Sequence, residues 1–332
     1  MELRNRTVRS ATNERLSEPD GQLSRAWAEA TIELAKHEVG LIMTGHMTVD
    51  RTQRADPGQP VIDDLTNQNI LAKTAEEVHR CGGKLVGQLS HSGLKADAAV
   101  NRCPPKRPKD FGLEELDRLV DQFVRSAQIC QQCGLDGVQV HCAHGYLLSN
   151  FLNSEENDRT DNYGGTLENR FELPRRILSA IRRSCGPNFA LLVKMNCNGG
   201  ADFGELMKYF QEAGVDAIEI SGLDFNARAG QKKPFYLEKI KVAAERVTVP
   251  LILVGGVFSK AAAEAVLSAG IPFVAFSRAL ICEPDFIEQM KTERCEESRC
   301  FACNSCYTVH KSRYVRCVQH AQKVEQLEKT FG

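Results

Sequence analysis

Apolar residues along the chain collect in short runs, separated by longer stretches in which they recur every three or four positions. The runs are Gly40–Thr44, Lys84–Gln88, Gly137–His141, Ala190–Lys194, Ala217–Ser221, Leu251–Val254 and Phe273–Phe276, with Arg6–Ser10 as an eighth. Each predicts a strand. Between Leu113 and Cys133, Leu116, Leu119, Val120, Phe123, Ala127 and Cys130 follow helical spacing, and Gly134 then stops the helix. Strands alternating with amphipathic helices predict a parallel sheet, and eight such units over roughly 250–280 residues fit a TIM barrel. A doubly wound sheet is the competing arrangement, but the glycine-rich dinucleotide fingerprint after the first strand is missing. Neither a linker nor a solenoid repeat interrupts the pattern. The chain therefore reads as α/β: a TIM (β/α)8 barrel over residues 1–290, then a short cysteine-rich C-terminal extension over 291–332 with a terminal helix.

With 332 residues, 42% hydrophobic and 26% charged, the chain can bury a substantial core. A net charge of -1 lacks the basic footprint of a nucleic-acid partner. No apolar run approaches the ~20 residues of a membrane span, and the opening Met1-Glu-Leu-Arg is followed by no apolar region of a signal peptide. A cytoplasmic location is expected. Of the 13 cysteines, Cys130, Cys133, Cys185 and Cys282 sit singly in apolar patterns and read as reduced core thiols. The exception is Cys300-x2-Cys303-x2-Cys306-x10-Cys317. Zinc ribbons usually pair cysteines two and two, so three close thiols with a distant fourth read as more iron–sulfur-like. Zinc, or no metal, stays open on spacing alone.

The run His141-Cys-Ala-His144-Gly-Tyr146 places two imidazoles and a phenol at the C-terminal end of the fourth strand. That is a carbonyl-polarising pair and a proton donor. Side chains three apart on a strand point to opposite faces, so the histidines converge only if the chain turns after His141, which Gly145 makes cheap. A surface pair, a core histidine, a metal pair lacking a third ligand and an ordinary half-buried tyrosine are the competing readings. After the seventh and eighth strands, Gly255, Gly256 and Ser277-Arg278 occupy the loops where barrels commonly bind phosphate, although ordinary turn chemistry fits the same residues. Two basic loops, with Lys106, Arg107 and Lys109 and with Arg228, Lys232 and Lys233, are expected at the catalytic rim. They either attract an anionic ligand such as NADPH or an acyl-CoA, or are solvated surface.

The longer stretch His141-Cys-Ala-His144-Gly-Tyr146-Leu-Leu-Ser-Asn-Phe151-Leu, with Asn157-Asp-Arg159-Thr-Asp161-Asn-Tyr163-Gly-Gly-Thr-Leu-Glu168-Asn-Arg170, closely resembles the signature of the Old Yellow Enzyme family of flavin oxidoreductases. The resemblance covers almost all of residues 3–320. It implies an FMN-dependent ene-reductase that moves a hydride from FMN N5 to the β-carbon of an α,β-unsaturated carbonyl compound. His141 and His144 would hold the carbonyl and Tyr146 would supply the proton. It further implies that Gly255, Gly256, Ser277 and Arg278 cradle the FMN phosphate, that Gln88 meets the flavin pyrimidine edge, and that Lys194 lies near N1 and C2=O. Ser10, Ala11, Thr12 and Asn13 would pack beside the ring, with Asn13 where many relatives carry Thr or Cys.

The cysteine run resembles the [4Fe-4S] motif of the trimethylamine dehydrogenase and 2,4-dienoyl-CoA reductase branch, which implies Cys300, Cys303, Cys306 and Cys317 as ligands. Members of that branch carry further nucleotide-binding domains, so the expectation here is a separate electron-transfer protein or a structural cluster. The implied small molecules are an enone or enoyl-CoA substrate and NAD(P)H as electron donor; the oligomeric state stays open. Three rival activities are amine oxidation of the trimethylamine dehydrogenase kind, which paired histidines suit poorly, NADH:flavin oxidoreductase activity, and tRNA modification, which the absent basic face disfavours. A flavin-free barrel with a zinc-stabilised interaction segment is the non-enzyme rival. The loop Cys197–Gly200 is short, so substrate contacts that relatives make there do not carry over.

Overall fold

The computed structural model describes residues 1–198, 203–308 and 314–319, so the end of the Cys197–Gly200 loop and the expected terminal helix lie outside the described residues. Eight strands form the sheet: β1 (Thr7–Arg9), β2 (Leu41–Met43), β3 (Lys84–Ser90), β4 (Gly137–Cys142), β5 (Ala190–Asn196), β6 (Ala217–Ser221), β7 (Leu251–Val254) and β8 (Phe273–Phe276). All neighbours pair in parallel, and β8 pairs with β1, Thr7 opposite Val274, so the sheet closes. This is a TIM barrel. The strands are the eight runs read from the sequence. A two-residue strand, Met47–Thr48, adds to the end of β3.

Helices follow the strands in order: α1 (Arg25–Lys36), α2 (Gln68–Arg80), α3 (Leu113–Gln132), α4 (Leu167–Cys185), α5 (Phe203–Glu212), α6 (Leu237–Ala244), α7 (Lys260–Ser268) and α8 (Phe286–Lys291). Helix α3 starts where Glu115 accepts from the Gly112 N–H at 3.1 Å, and it gives way to Gly134 at φ 81°. Its apolar stripe joins Val138 and Val140 of β4 and Ile177 of α4 in the layer between sheet and helices.

Because strand side chains alternate, the opposite set points to the barrel axis. Val8, Leu41, Met43, Val86, Ala190, Leu192, Ala217 and Ile252 fill it with an apolar layer. Burial on both faces explains why the strands read as continuous apolar runs. One inward position further along, the layer turns polar: Ser10, Gln88, Lys194 and Glu219 follow Val8, Val86, Leu192 and Ala217, and all four are buried. The segment after α8 returns to this end. Ser298 N donates to Phe258 O at 2.7 Å and Gly230 N to Ala302 O at 2.9 Å, while Cys300 and Ala302 enter the outer core.

Gly137 opens β4 where a Cβ would stand 2.2 Å from the Ala190 carbonyl oxygen on β5. The strand spacing is fixed by the ladder, so backbone has to move. We expect Gly137→Ala to cost about 1–3 kcal/mol, the range for overpacking, read as a lower urea midpoint and melting temperature.

Candidate active site

A cavity of about 870 Å³ opens at the C-terminal end of the barrel. Ser10, Ala11, Thr12, Asn13, Gln88, His141, His144, Tyr146, Lys194, Gly255, Gly256, Ser277 and Arg278 all line it. Its floor is the polar end of the barrel interior. Lys194 Nζ donates to Ser10 Oγ at 2.7 Å and to Glu219 Oε1 at 3.0 Å, Ser10 Oγ donates to the same carboxylate oxygen at 2.5 Å, and Gln139 Nε2 donates to Oε2 at 2.8 Å. Gln88 Nε2 donates to Gln139 Oε1 at 2.7 Å.

One wall is built by the turn after β4. His144 at φ 63° and Gly145 at φ 73° bend the chain through the left-handed region, which brings the His141 and His144 rings to 5.3 Å between centroids. His144 keeps this unusual backbone because Asn196 Oδ1 accepts its N–H at 3.1 Å and Ser221 Oγ meets its Nε2 at 2.9 Å. Tyr146 caps the short helix Leu147–Leu152, and its ring lies 4.9 Å from that of His141. His141 Nδ1 is buried with no hydrogen-bond partner among the described residues.

The direction of the Tyr146 proton follows from a donor that has no alternative. The Ala55 backbone N–H donates to Gln59 Oε1 at 2.5 Å, so the Gln59 amide nitrogen faces His46 Nδ1, 2.7 Å away. Nδ1 is then the acceptor and the proton of His46 sits on Nε2, which is 3.3 Å from the Tyr146 oxygen. The phenol accepts there and keeps its own hydrogen for the cavity. Burial holds the imidazoles below their ordinary range: His141 well below it, His144 at about 3 and His46 at about 4, with Lys194 and the neighbouring rings adding to the effect. Burial, and then the Asp56 carboxylate, push the Tyr146 phenol up. The cavity therefore holds neutral imidazoles and a protonated phenol at pH 7.

At the other end, Gly255 and Gly256 adopt φ of 124° and 82°. A Cβ on Gly256 would lie 1.8 Å from the Lys233 carbonyl oxygen, so only glycine fits. Arg278 stacks 5.1 Å over Phe258 and donates to Ala302 O and Asn304 Oδ1. Ser277 Oγ lies 3.1 Å from Thr12 Oγ1 and 3.3 Å from the Tyr307 hydroxyl. Asn13 is engaged at both ends of its amide, donating to Asp56 at 2.7 Å and accepting from Arg15 N at 3.3 Å.

A family model described as the NADH:flavin oxidoreductase / NADH oxidase family matches residues 1–297. The chain belongs to this family. This flavin oxidoreductase is 27% identical to 4,4'-dithiodibutanoate disulfide reductase of Rhodococcus erythropolis, over 92% of the chain and 89% of that protein. It is 29% identical to cinnamate reductase of Clostridium sporogenes over 86% of the chain, and spans 50% of that relative. Among solved structures, a 2-naphthoyl-CoA reductase complex matches with TM-score 0.85 and 22% identity, over 91% of the chain and 52% of its own. An old yellow enzyme homologue from Zymomonas mobilis matches with TM-score 0.80 and 21% identity, over 95% of the chain and 94% of its own.

In the flavin oxidoreductase, Cys300, Cys303, Cys306 and Cys317 line a second, small cavity, and Arg278 and Asn304 line both cavities. Cys282 lies against the thiols of Cys300 and Cys317. Among the described residues, no three His, Cys, Asp or Glu side chains are placed to hold one metal ion. Four of the six basic residues in the two loops are paired with carboxylates. Lys106 pairs with Glu115, Lys109 with Asp158, Arg228 with Asp224 and Lys232 with Glu297, at 2.7, 2.8, 2.8 and 2.8 Å, and none of the four lines the large cavity. They read as surface. Sequence reasoning missed His46, Gln59, Gln139, Ser221 and Glu219, whose partners are distant in the chain; the polar residues breaking apolar strands at 139 and 219 were the available signal.

The depressed histidines fix a pH dependence. Unfolded imidazoles take up protons near pH 6.5, while these rings, when folded, do so only near 3 to 4 for His144 and His46 and still below the ordinary value for His141. Their contribution to stability is thus complete above pH 6.5 and is lost as pH falls toward 4. We expect the His144 ring to stay neutral down to pH 5 by NMR titration, and the urea midpoint to fall between pH 6.5 and 4. A His144 ring titrating near 6.5 would contradict this.

Proposed function

We propose that the protein is an FMN-dependent ene-reductase acting on α,β-unsaturated carbonyl compounds. The observation that carries this reading is the convergence of two neutral imidazoles and one inward-directed phenolic proton on a cavity with a Lys194–Gln88 floor. FMN fits the residues present: a cationic and amide-bearing floor for the ring's pyrimidine end, and Gly255, Gly256, Ser277 and Arg278 as donors for the phosphate. When bound, FMN would deliver a hydride to the alkene β-carbon, the two electrons being restored by NAD(P)H.

The chain's own residues supply the rest. His141 and His144 donate hydrogen bonds to the carbonyl oxygen as it gains negative charge; donors of this kind are worth about 3–4 kcal/mol each. Neutral rings suit the role, since they stabilise the oxygen without losing a proton to it. Tyr146 gives its proton to the α-carbon, completing addition of one hydride and one proton across the double bond. His46 Nε2–H then stabilises the phenolate until solvent reprotonates it.

An enoyl-CoA or aryl enone substrate is supported by the names of the relatives, a cinnamate reductase and a naphthoyl-CoA reductase. The four cysteines belong to the same reading as ligands of a [4Fe-4S] cluster. Four thiols line one cavity, three closely spaced in the chain with one distant fourth, a spacing more like an iron–sulfur ligand set than the two-and-two pairs of a zinc ribbon. A cluster held by these four cysteines would supply one-electron exchange with a separate protein or with flavin. The 13 cysteines suit a reducing compartment, hence a cytoplasmic location.

Stopped-flow kinetics separate the two half-reactions. Tyr146→Phe is expected to slow enone reduction about 10²–10⁴-fold, while flavin reduction by NAD(P)H stays within a few-fold of wild type. Unimpaired enone turnover in this variant would refute the phenol's role. For the cysteines, anaerobically purified protein is expected to contain about four iron and four acid-labile sulfide per chain, with the broad absorption lost in Cys300→Ala. Stoichiometric zinc instead would refute the cluster.

A further inference from the structure

We propose that Glu219 is a positioning residue that determines, through Gln139, which end of the Gln88 amide is presented to the cavity. The inference rests on the reading above that FMN occupies that cavity. It starts from the one member of the floor network with no donor to offer. A carboxylate beside a lysine ammonium accepts at both oxygens. Oε1 of Glu219 is taken by Ser10 and Lys194, which leaves Oε2 for Gln139 at 2.8 Å. Gln139 must therefore turn its NH2 group toward Glu219 and its carbonyl oxygen toward Gln88. Gln88 must in turn give an N–H to that oxygen, at 2.7 Å.

The consequence lies at the end of the relay. Gln88 keeps its second N–H and its carbonyl oxygen for the cavity it lines. A donor beside an acceptor is the complement of an imide edge, in which a carbonyl stands next to an N–H, and the pyrimidine ring of a flavin carries that edge. Flipping Gln88 alone would set two carbonyl oxygens against each other at the Gln139 contact. Flipping both glutamines would set the Gln139 carbonyl oxygen against the Glu219 carboxylate. Glu219, Gln139 and Gln88 are 0%, 0% and 2% exposed, so no water shell softens either mismatch. The network also occupies a layer that apolar side chains fill one position below, at Val86, Leu192 and Ala217. Burying a charged pair there costs desolvation that a hydrophobic layer avoids, which argues for a role beyond packing.

Gln139 makes the idea separable from direct contact, because it does not line the cavity. The test is reconstitution of the deflavinated full-length chain with FMN and with 3-methyl-FMN, which lacks the imide N–H, followed by fluorescence titration. Wild type is expected to prefer FMN by at least about tenfold, the worth of one buried hydrogen bond. Gln139→Leu releases Gln88, and Glu219→Gln offers Gln139 an N–H and so reverses the relay. Both are expected to bring the preference to within about threefold of unity; in Gln139→Leu, which leaves the Lys194–Glu219 pair in place, this comes from weaker FMN binding with 3-methyl-FMN affinity little changed. A merely structural role would weaken both ligands in parallel, and that result overturns the proposal. So does an unchanged preference in folded variants, or a wild-type preference near one. Failure of wild type to bind either flavin would defeat the FMN reading itself, whereas tight FMN binding with an unaltered preference defeats the relay alone.

Discussion

A closed parallel barrel must put every second strand residue on its axis, and the buried Lys194–Glu219 pair is what allows that axis to end in polar chemistry. Lys194 and Glu219 are opposite each other in the β5–β6 ladder, so their approach is set by strand register rather than by flexible side chains. Neither charge could be left there alone. Breaking such a pair by removing one partner strands an uncompensated ion in a dry interior. With both present, the ammonium and carboxylate hold Ser10 and Gln139, and through Gln139 the Gln88 amide. The cavity floor is therefore an extension of the sheet, and it inherits the sheet's rigidity.

The walls are built differently. Strand β4 delivers His141 in register, but His144 and Tyr146 reach the cavity only because the chain turns through two consecutive left-handed residues. Such a turn at a non-glycine residue costs energy, and here it is held by Asn196 from β5 and Ser221 from β6. The same strands that set the floor thus set the wall. Burial then does the chemical work: with the rings packed into the cavity wall and Lys194 nearby, the imidazoles stay neutral and the phenol stays protonated. Under the proposed function these are the forms in which a hydrogen-bond donor and a general acid are needed.

Much of this was legible in the sequence, for physical reasons. Strands buried on both faces leave apolar runs that need no tertiary information, so all eight were readable. His141, His144 and Tyr146 were readable because a six-residue span carried them. The polar relay was not, since Gln88–Gln139, Gln139–Glu219 and Tyr146–His46 join residues 51, 80 and 100 positions apart. What could be seen was only that Gln139 and Glu219 interrupt apolar strands. The basic loops could be read either way from sequence: Asp224 and Glu115 lie near Arg228 and Lys106 in the chain, but Asp158 and Glu297, which pair with Lys109 and Lys232, arrive from elsewhere.

The cysteine segment looks in sequence like an appendage, yet it completes the cationic end of the cavity. Arg278 is buried, and its guanidinium is held by the Ala302 carbonyl and the Asn304 side chain, both on residues in the left-handed region. The loop after β6 holds both residues: Gly230 N donates to the Ala302 carbonyl at 2.9 Å and Asn304 Nδ2 donates to the Phe225 carbonyl at 3.1 Å. Cys300, Cys303 and Cys306 alternate with these residues around the small cavity that Arg278 also lines. The loop that carries the thiols is thus the loop that aims the guanidinium. The cysteine segment and the Arg278 end of the barrel are for that reason one structural unit.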